Sequence, residues 1–195
     1  KERLSKLHRS PSGSHLHGTC RSTHELIFMA LYQENNALYN PAEYPDASSV
    51  KVGIVTASWN SKITSKLFDG AAEVLKKSSV KENSLISIQV PGSYELTAGA
   101  QWLFQHHTPD VVIALGCVIQ GETRHFDFIC HAVANGLNHV SLKFGKPVIF
   151  GVLTTDNEMQ ALERCGGTHG HKGREAAFTA LSMALLKSPA AKIGF

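Results

Sequence analysis

The chain has 195 residues, of which 43% are hydrophobic and 18% are charged, which suits one globular domain with a sizeable core. The formal net charge of +3 is too small to indicate nucleic-acid binding by itself, and the sequence contains no run of about 18 apolar residues that would predict a membrane span. The cysteines form no CxxC pair and no spaced metal site, so we expect reduced thiols in a cytoplasmic protein; they are Cys20, Cys117, Cys130 and Cys165.

Residues 1–40 differ in composition from the remainder of the chain. Residues 1–23 are rich in Ser, Arg, His and Gly and have little to bury, so we expect a disordered or extended arm ahead of a domain at 41–195. The histidines of this arm show no recurring ligand spacing, which favours a solvated tail over a metal tract. Residues 26–32 form a short apolar run without a clear cleavage site, so we do not expect a secretory signal.

Strands and helices alternate from residue 50 onward. Apolar runs rich in β-branched residues predict four strands, at 51–56, 85–90, 111–115 and 147–155. Helical periodicity predicts intervening helices from Asn60 or Ser61, over 96–107, after 123 and over 158–165, then a glycine-rich loop at 166–173 and a last helix that ends before Pro189. This alternation predicts a three-layer αβα sandwich around a four-stranded parallel sheet.

The most informative stretch is DVVIALGCVIQGETRHFDFICH, at residues 110–131. It predicts a buried strand that breaks at Gly116 and Gly121, followed by a helix that Thr123 caps. The free N–H groups of the first helical turn would form an anion site beyond the strand, and Arg124 and His125 lie on that turn. A histidine on a helix is often structural, but this position favours proton transfer beside a phosphate-sized anion.

Other chemically rich residues gather at the same predicted edge of the sheet, where parallel sheets bind their ligands. Trp59 follows the first strand and either packs at the edge of the core or stacks on a flat heterocycle. Glu95 lies in the first turn of a helix, where it either complements the helix dipole or accepts from ligand hydroxyls. Arg164 and Lys172 flank a glycine-rich loop, which is either a solvated basic loop or a phosphate site.

Several nucleotide and metal sites are excluded by their missing motifs. The turn GETRH is not followed by GK[ST], and no GxGxxG follows the first strand, so neither a Walker A loop nor a dinucleotide fingerprint is present. His169 and His171 lack a carboxylate or cysteine at fitting spacing, so we do not expect a metal there. The residues alone are compatible with a phosphate that carries a carbonyl and with a flat partner molecule, which they do not identify.

Four motifs in order, PGSYE, GCVIQGETRHFDFI, FGVLTT and QALERCGGTHGHKG, resemble those of the lumazine synthase family over residues 45–186. The resemblance implies a flavodoxin-like fold that assembles into pentamers. It implies that 5-amino-6-(D-ribitylamino)uracil condenses with 3,4-dihydroxy-2-butanone 4-phosphate, in the penultimate step of riboflavin biosynthesis, with release of phosphate and water. It also implies that no metal or redox cofactor takes part.

The resemblance further implies which residues hold the pyrimidine substrate. Trp59 matches an aromatic residue that stacks on the pyrimidinedione ring. The segment that binds the ribityl chain is matched by Ser93, Tyr94 and Glu95. The segment whose backbone lines the ring is matched by Cys117, Val118 and Ile119.

For the phosphate substrate, the resemblance implies that His125 is the proton-transfer histidine. Glu122 and Thr123 match the turn whose backbone N–H groups hold the phosphate. Arg164 matches the phosphate-binding arginine, and Lys172 matches a basic residue near it. Phe150 matches an aromatic residue that reaches the ligand from the neighbouring subunit, since the family's sites lie between subunits. The length of the loop near residue 168 resembles that of members that form 60-subunit shells, and association with riboflavin synthase is a further possibility.

Some features depart from the family pattern. Arg124, His169 and His171 stand where we expect other residues, and residues 1–40 have no counterpart that we can place. The alternative to the enzyme is a non-catalytic flavin-binding or shell-forming protein of the same fold. The presence of His125 together with the cations Arg164 and Lys172 argues against this alternative. We expect small-molecule substrates and no nucleic-acid or membrane partner.

Overall fold

A computed structural model describes residues 44–186, so the expected arm at 1–40 and the end of the last helix near Pro189 lie outside the described residues. The strands of the main sheet are β1 (Val52–Ala57), β2 (Leu85–Val90), β3 (Val111–Ile119) and β4 (Val148–Thr155). A short hairpin follows, made of β5 (Cys165–Gly167) and β6 (Gly170–His171). The helices are α1 (Ser61–Lys77), α2 (Leu96–His107), α3 (His125–Phe144), α4 (Glu158–Glu163) and α5 (Lys172–Leu186), and a 3-10 turn (Glu82–Ser84) precedes β2.

The main sheet has the order β2-β1-β3-β4, and all of its strand pairs are parallel. Side chains from α1, α4 and α5 pack on one face of the sheet, and those from α2 and α3 pack on the other. The predicted three-layer αβα sandwich with a four-stranded parallel sheet, flavodoxin-like in architecture, is therefore confirmed.

The two central strands are apolar on both faces, as is typical of parallel sheets that helices cover on each side. In β1, Ile54 joins the core beneath α1 and α5, whereas Val55 joins the core beneath α2. In β3, every residue from Val111 to Cys117 is buried. No helix among residues 44–186 is long and apolar enough to cross a membrane.

The predicted break of the third strand at Gly116 is wrong. β3 continues through Gly116, which pairs with Val152 of β4, and ends at Ile119. A Cβ atom at position 116 would lie 2.7 Å from the Ser93 Oγ atom. The glycine is therefore needed for the close approach of the turn after β2 and does not end the strand.

The predicted loop at 166–173 is also different in the structure. It is the antiparallel β5-β6 hairpin, in which Cys165 pairs with His171, and helix α5 begins at Lys172. Helix α4 ends at Glu163, two residues earlier than predicted. Gly173 therefore lies in a helix, where a Cβ atom would come within 2.0 Å of the Leu67 carbonyl oxygen of α1. This glycine serves helix packing and not loop flexibility.

Candidate functional site

The turns after β1 and β2 are joined by backbone hydrogen bonds at the carboxyl edge of the sheet. The Ser58 N–H donates to the Val90 carbonyl at 2.8 Å, and the Trp59 N–H donates to the Pro91 carbonyl at 3.0 Å. These bonds extend the β1-β2 ladder beyond the strands. They bring Trp59 beside the Gly92–Glu95 segment, as the sequence predicts for residues that follow neighbouring parallel strands.

The Cys117 carbonyl near the end of β3 anchors both of these turns. It accepts a hydrogen bond from the Asn60 Nδ2 atom at 2.9 Å and one from the Ser93 Oγ atom at 3.4 Å. A carbonyl oxygen has two lone pairs, so this acceptor is fully used. The turns after β1 and β2 are thus fixed to β3 by side chains and not only by the sheet.

The sequence does not predict this role of Asn60, since it indicates only that a helix begins at Asn60 or Ser61. It precedes α1 with a left-handed backbone (φ 58°) and makes no side-chain capping bond. Asparagine adopts this conformation more readily than most residues. The sequence shows an asparagine at a tight strand-to-helix turn. It does not show that the partner of this side chain is the Cys117 carbonyl, 57 residues further along the chain.

Trp59 and Glu95 meet at Gly92. The Gly92 N–H donates to the Glu95 Oε2 atom at 3.0 Å, and a Cβ atom at position 92 would lie 2.8 Å from the Trp59 Cε3 atom. The Trp59 side chain is 68% exposed, so the ring lies against Gly92 at the surface and is not packed into the edge of the core. An indole face and a fixed carboxylate side by side suit a flat ring that carries hydroxyls. Of the two residues between Gly92 and Glu95, Ser93 is buried and Tyr94 is exposed.

The turn between β3 and α3 presents exposed residues from Gln120 to His125. Helix α3 begins at His125, and Arg124 occupies the N-cap position without a side-chain capping bond. Thr123, the predicted cap, lies one residue before the observed N-cap, and its Oγ1 atom accepts from the His125 N–H at 3.4 Å. Glu122 and Thr123 therefore directly precede the N-terminus of the helix and lie next to the exposed His125.

The Cys117 thiol has no nucleophilic role to play at this edge. It is buried, and this burial, with the nearby Cys165 thiol and the Glu158 carboxylate, raises the pKa of Cys117 to about 12. The thiolate is the reactive form of cysteine, and it is not populated near neutral pH at such a pKa. Val118 and Ile119 follow Cys117 and are half-buried at the end of β3.

Arg164 and Lys172 come together at either end of the hairpin. The Lys172 N–H donates to the Arg164 carbonyl at 2.8 Å, which closes the hairpin at its base. Their side chains meet at one carboxylate oxygen, Glu175 Oε2, which lies 3.1 Å from Arg164 Nη2 and 3.6 Å from Lys172 Nζ. Arg164 also donates through Nη1 to the His169 carbonyl. Glu175 was not among the predicted site residues, because its partners depend on how α5 turns towards the hairpin.

The His171 ring is packed against α1. Its ring fills the space beside Gly70, where a Cβ atom would lie 2.1 Å from the His171 Cε1 atom. Its Nδ1 atom is buried without a hydrogen-bond partner, and burial, together with the charge of Arg174, lowers the pKa of His171. Among residues 44–186 no three His, Cys, Asp or Glu side chains are grouped to hold a metal ion.

Phe150 lies apart from the strand-end turns within one chain. It is the third residue of β4, opposite Ala114 of β3, and its side chain is 37% exposed. The carboxyl end of β4 is Thr155, which is about 17 Å further along the strand at 3.3 Å per residue. An exposed aromatic ring on an edge strand is available to another molecule and not to the turn at the end of its own strand.

The family model described as 6,7-dimethyl-8-ribityllumazine synthase matches residues 49–188. A relative from Cytophaga hutchinsonii with this name is 56% identical over 155 residues, which cover 80% of this chain and 97% of that protein. Relatives of the same name from Parabacteroides distasonis and Porphyromonas gingivalis are 46% and 44% identical, and the matches cover 80% and 82% of this chain and 97% and 99% of theirs. The family model extends over all three strand-end turns, the hairpin and α5, and the relatives match at 44–56% identity over at least 80% of this chain. The chain therefore belongs to the 6,7-dimethyl-8-ribityllumazine synthase family.

Proposed function

We propose that this chain is a 6,7-dimethyl-8-ribityllumazine synthase. It condenses 5-amino-6-(D-ribitylamino)uracil with 3,4-dihydroxy-2-butanone 4-phosphate in the penultimate step of riboflavin biosynthesis. The observation that carries this proposal is the 56% identity to a relative of that name over nearly the whole relative. The arrangement of an exposed indole, a fixed carboxylate and an imidazole at a helix N-terminus supports it independently.

The pyrimidine occupies the Trp59 side of the site in this proposal. The indole stacks on the flat ring, and the Glu95 carboxylate, held by the Gly92 N–H, accepts from the ribityl hydroxyls. Ser93 and Tyr94 complete the ribityl segment. The backbone of Cys117, Val118 and Ile119 lines the ring.

The phosphate substrate occupies the side of the α3 N-terminus. The backbone N–H groups of the turn at Glu122 and Thr123, together with the helix dipole, favour a bound phosphate. Arg164 and Lys172 supply the positive charge, as a guanidinium fork and an ammonium. His125 lies on the first turn of the same helix and shuttles protons.

The proposed chemistry needs no group beyond these residues. The 5-amino nitrogen attacks the ketone carbon, and loss of water gives an imine. Removal of a proton from the neighbouring carbon allows the C–O bond to the phosphate to break, and the helix N-terminus and Arg164 stabilise the charge on the departing phosphate. The enol left by this elimination tautomerises to a methyl ketone. The 6-ribitylamino nitrogen attacks that carbonyl carbon and closes the ring with loss of a second water. Much of the acceleration comes from holding two reactants together in the correct geometry.

We further propose that the complete site forms between subunits of a pentamer. Phe150 is exposed and lies about 17 Å along β4 from the end of its own strand, so its ring serves the neighbour's site. The short β5-β6 hairpin favours assembly of pentamers into a 60-subunit shell, in which riboflavin synthase is a candidate guest. We place the protein in the cytoplasm, because the described cysteines, Cys117, Cys130 and Cys165, are free thiols.

A fluorescence assay on size-separated protein tests these proposals together. Both substrates are added to fractions from a size-exclusion column with light scattering, and the appearance of lumazine fluorescence is followed. A chain of 21.2 kDa gives about 0.1 MDa for a pentamer and about 1.3 MDa for a 60-subunit shell. Activity at either mass supports the enzyme and identifies its assembly. Well-folded assemblies that bind flavin but form no lumazine would refute the catalytic proposal.

A variant that lacks residues 1–40 tests the domain boundary in the same assay. We propose that residues 41–195 form the enzyme domain and that the preceding segment is an arm, because the family match begins at residue 49. The truncated chain should retain the activity of the full chain per site. Loss of folding or activity would show that the domain extends into the segment before residue 41.

A further inference from the structure

The cation pair at the hairpin is organised by a carboxylate that the family comparison does not assign. Glu175 lies in the first turn of α5, and its Oε2 atom lies 3.1 Å from Arg164 Nη2 and 3.6 Å from Lys172 Nζ. All three side chains are sheltered, with exposures of 23% for Glu175, 26% for Arg164 and 31% for Lys172. Ion pairs sheltered to this degree are screened less by solvent and salt than pairs on an open surface.

The Arg164 guanidinium is held at two different nitrogens. Its Nη2 atom donates to Glu175, and its Nη1 atom donates to the His169 carbonyl on the hairpin. Two fixed acceptors determine both the position and the plane of the group. The orientation of that plane matters, because guanidinium binds phosphate through paired N–H groups that must face the oxygens.

The hairpin carbonyl is itself held in place. The Glu163 Oε2 atom accepts from the Thr168 N–H at 2.7 Å and from the Thr168 Oγ1 atom at 2.6 Å. The His169 N–H donates to the Glu163 carbonyl at 3.2 Å. The hairpin thus supplies one fixed acceptor for Arg164, and Glu175 supplies the other from a separate helix.

We propose that Glu175 is a positioning residue for the phosphate-bearing substrate: it orients Arg164 and keeps Lys172 beside it, so that both cations face one phosphate. This inference rests on the proposed function, because it assigns the phosphate to Arg164 and Lys172. Glu175 does not touch the substrate. It acts through the two cations, whose mutual repulsion it also offsets.

Two substitutions separate orientation from charge. In Glu175→Gln the amide oxygen can still accept from the Arg164 guanidinium, whereas the negative charge is lost. In Glu175→Ala both the acceptor and the charge are lost. If Glu175 acts by orienting Arg164, KM for the butanone phosphate should rise about tenfold in Glu175→Ala, which is the scale of one charge-assisted hydrogen bond. In Glu175→Gln, which keeps the acceptor, KM should change by less than about threefold. KM for the pyrimidine should stay unchanged in both variants, because its proposed contacts lie on other elements.

A matched control is available on the neighbouring residue of the same helix. Arg174 donates from Nε and Nη2 to Glu73 Oε2 at 3.0 and 2.6 Å, which joins α5 to α1 outside the proposed site. Glu73→Gln removes a carboxylate that holds an arginine in the same first turn. Glu73→Gln should change the free energy of unfolding and leave both KM values unchanged. That result would exclude a general disturbance of α5 as the cause of the KM change in the Glu175 variants.

Binding of inorganic phosphate to the assembled full-length protein, measured by calorimetry, provides a readout without turnover. We expect the phosphate Kd to rise about tenfold in Glu175→Ala and little in Glu175→Gln. Tighter phosphate binding in both variants would overturn the proposal, since it would show that Glu175 only opposes the anion. Equal rises of KM for both substrates, or unchanged phosphate binding in folded Glu175→Ala, would overturn it as well. If the unsubstituted protein bound phosphate but formed no lumazine, the proposed function would fail while the phosphate test of Glu175 would still stand.

Discussion

Replacing Gly92 by alanine should impair the pyrimidine site without unfolding the protein. The added Cβ atom would lie 2.8 Å from Trp59 Cε3, 3.0 Å from Trp59 Cζ3 and 3.1 Å from Glu95 Oε2. Carbon atoms in contact are separated by at least about 3.5 Å, so the indole must move by about 0.7 Å or more. The ring can move because it is exposed, and Gly92 has no positive φ that would strain an alanine.

The functional cost should therefore exceed the cost in stability. A misplacement of about 1 Å at a reacting centre can reduce a rate about a hundredfold. We expect kcat/KM for the pyrimidine to fall between about tenfold and a hundredfold, which corresponds to about 1.4–2.7 kcal/mol. The free energy of unfolding should change by no more than about 1 kcal/mol.

The assay is the rate of lumazine formation, with each substrate varied in turn, together with urea unfolding of the same samples. Gly53→Ala is the control, because its Cβ atom would lie 3.2 Å from both Leu103 and Val112 at the opposite end of β1. It should lower stability and leave kcat/KM unchanged. In the background of Trp59→Ala, the Gly92 substitution should cost much less, because the ring that it displaces is absent. A Gly92→Ala enzyme within about twofold of the unsubstituted kcat/KM would refute this account of the site.

Three further predictions concern single side chains. His125→Ala should lower kcat about a hundredfold in single-turnover assays and leave measurable activity, because holding the reactants together does not depend on the imidazole. The pKa of His171 is lowered in the folded protein, so the unfolded chain binds the proton more tightly and acid favours unfolding below about pH 6.5. In His171→Asn the free energy of unfolding should therefore fall less with acid than in the unsubstituted protein, as urea titrations at several pH values can measure. Iodoacetamide should modify Cys117 in the folded protein far more slowly than Cys130, because burial raises the pKa of Cys117 to about 12. Mass spectrometry of the digested protein measures both rates.

Each of these predictions has a contradicting outcome. A folded His125→Ala protein without any activity would show that proton transfer is indispensable. If unfolding free energy fell equally with acid in His171→Asn, the buried imidazole would not contribute to the pH dependence. Alkylation of Cys117 ahead of Cys130 would show that the end of β3 opens in the native protein.

The architecture was predictable because strands that are buried on both faces of a sheet are continuous apolar runs rich in β-branched residues. Such runs are easily recognised in a sequence. The strand at 85–90 has the same bounds in the structure as in the sequence prediction, and β1 differs by one residue at each end. Gly116 misled the prediction because a glycine inside a strand has no local mark that distinguishes it from one that ends a strand. The hairpin at 165–171 was hidden by its glycines for the same reason.

The sequence predicted only those site residues that directly follow the ends of parallel strands, because such residues gather at one edge of the sheet. Trp59 and Glu95 were expected near each other because they follow paired parallel strands, and the structure brings them to the same glycine. Asn60 and Glu175 were missed because their roles depend on partners elsewhere in the fold, the Cys117 carbonyl and the Arg164 guanidinium. No periodicity or local motif encodes which face of a helix meets such a partner.

The anchoring of two turns on the Cys117 carbonyl has a consequence for the order in which the protein matures. Its donors, Asn60 and Ser93, lie 57 and 24 residues earlier in the chain. During synthesis these turns leave the ribosome first and have no acceptor until β3 follows them and pairs with β1. Contacts of such sequence separation form late, because closing the intervening loops costs chain entropy before the contacts can repay it. The arrangement of these turns is therefore completed after the central strands have assembled, and a nascent chain that stops short of β3 lacks the acceptor that anchors both of them.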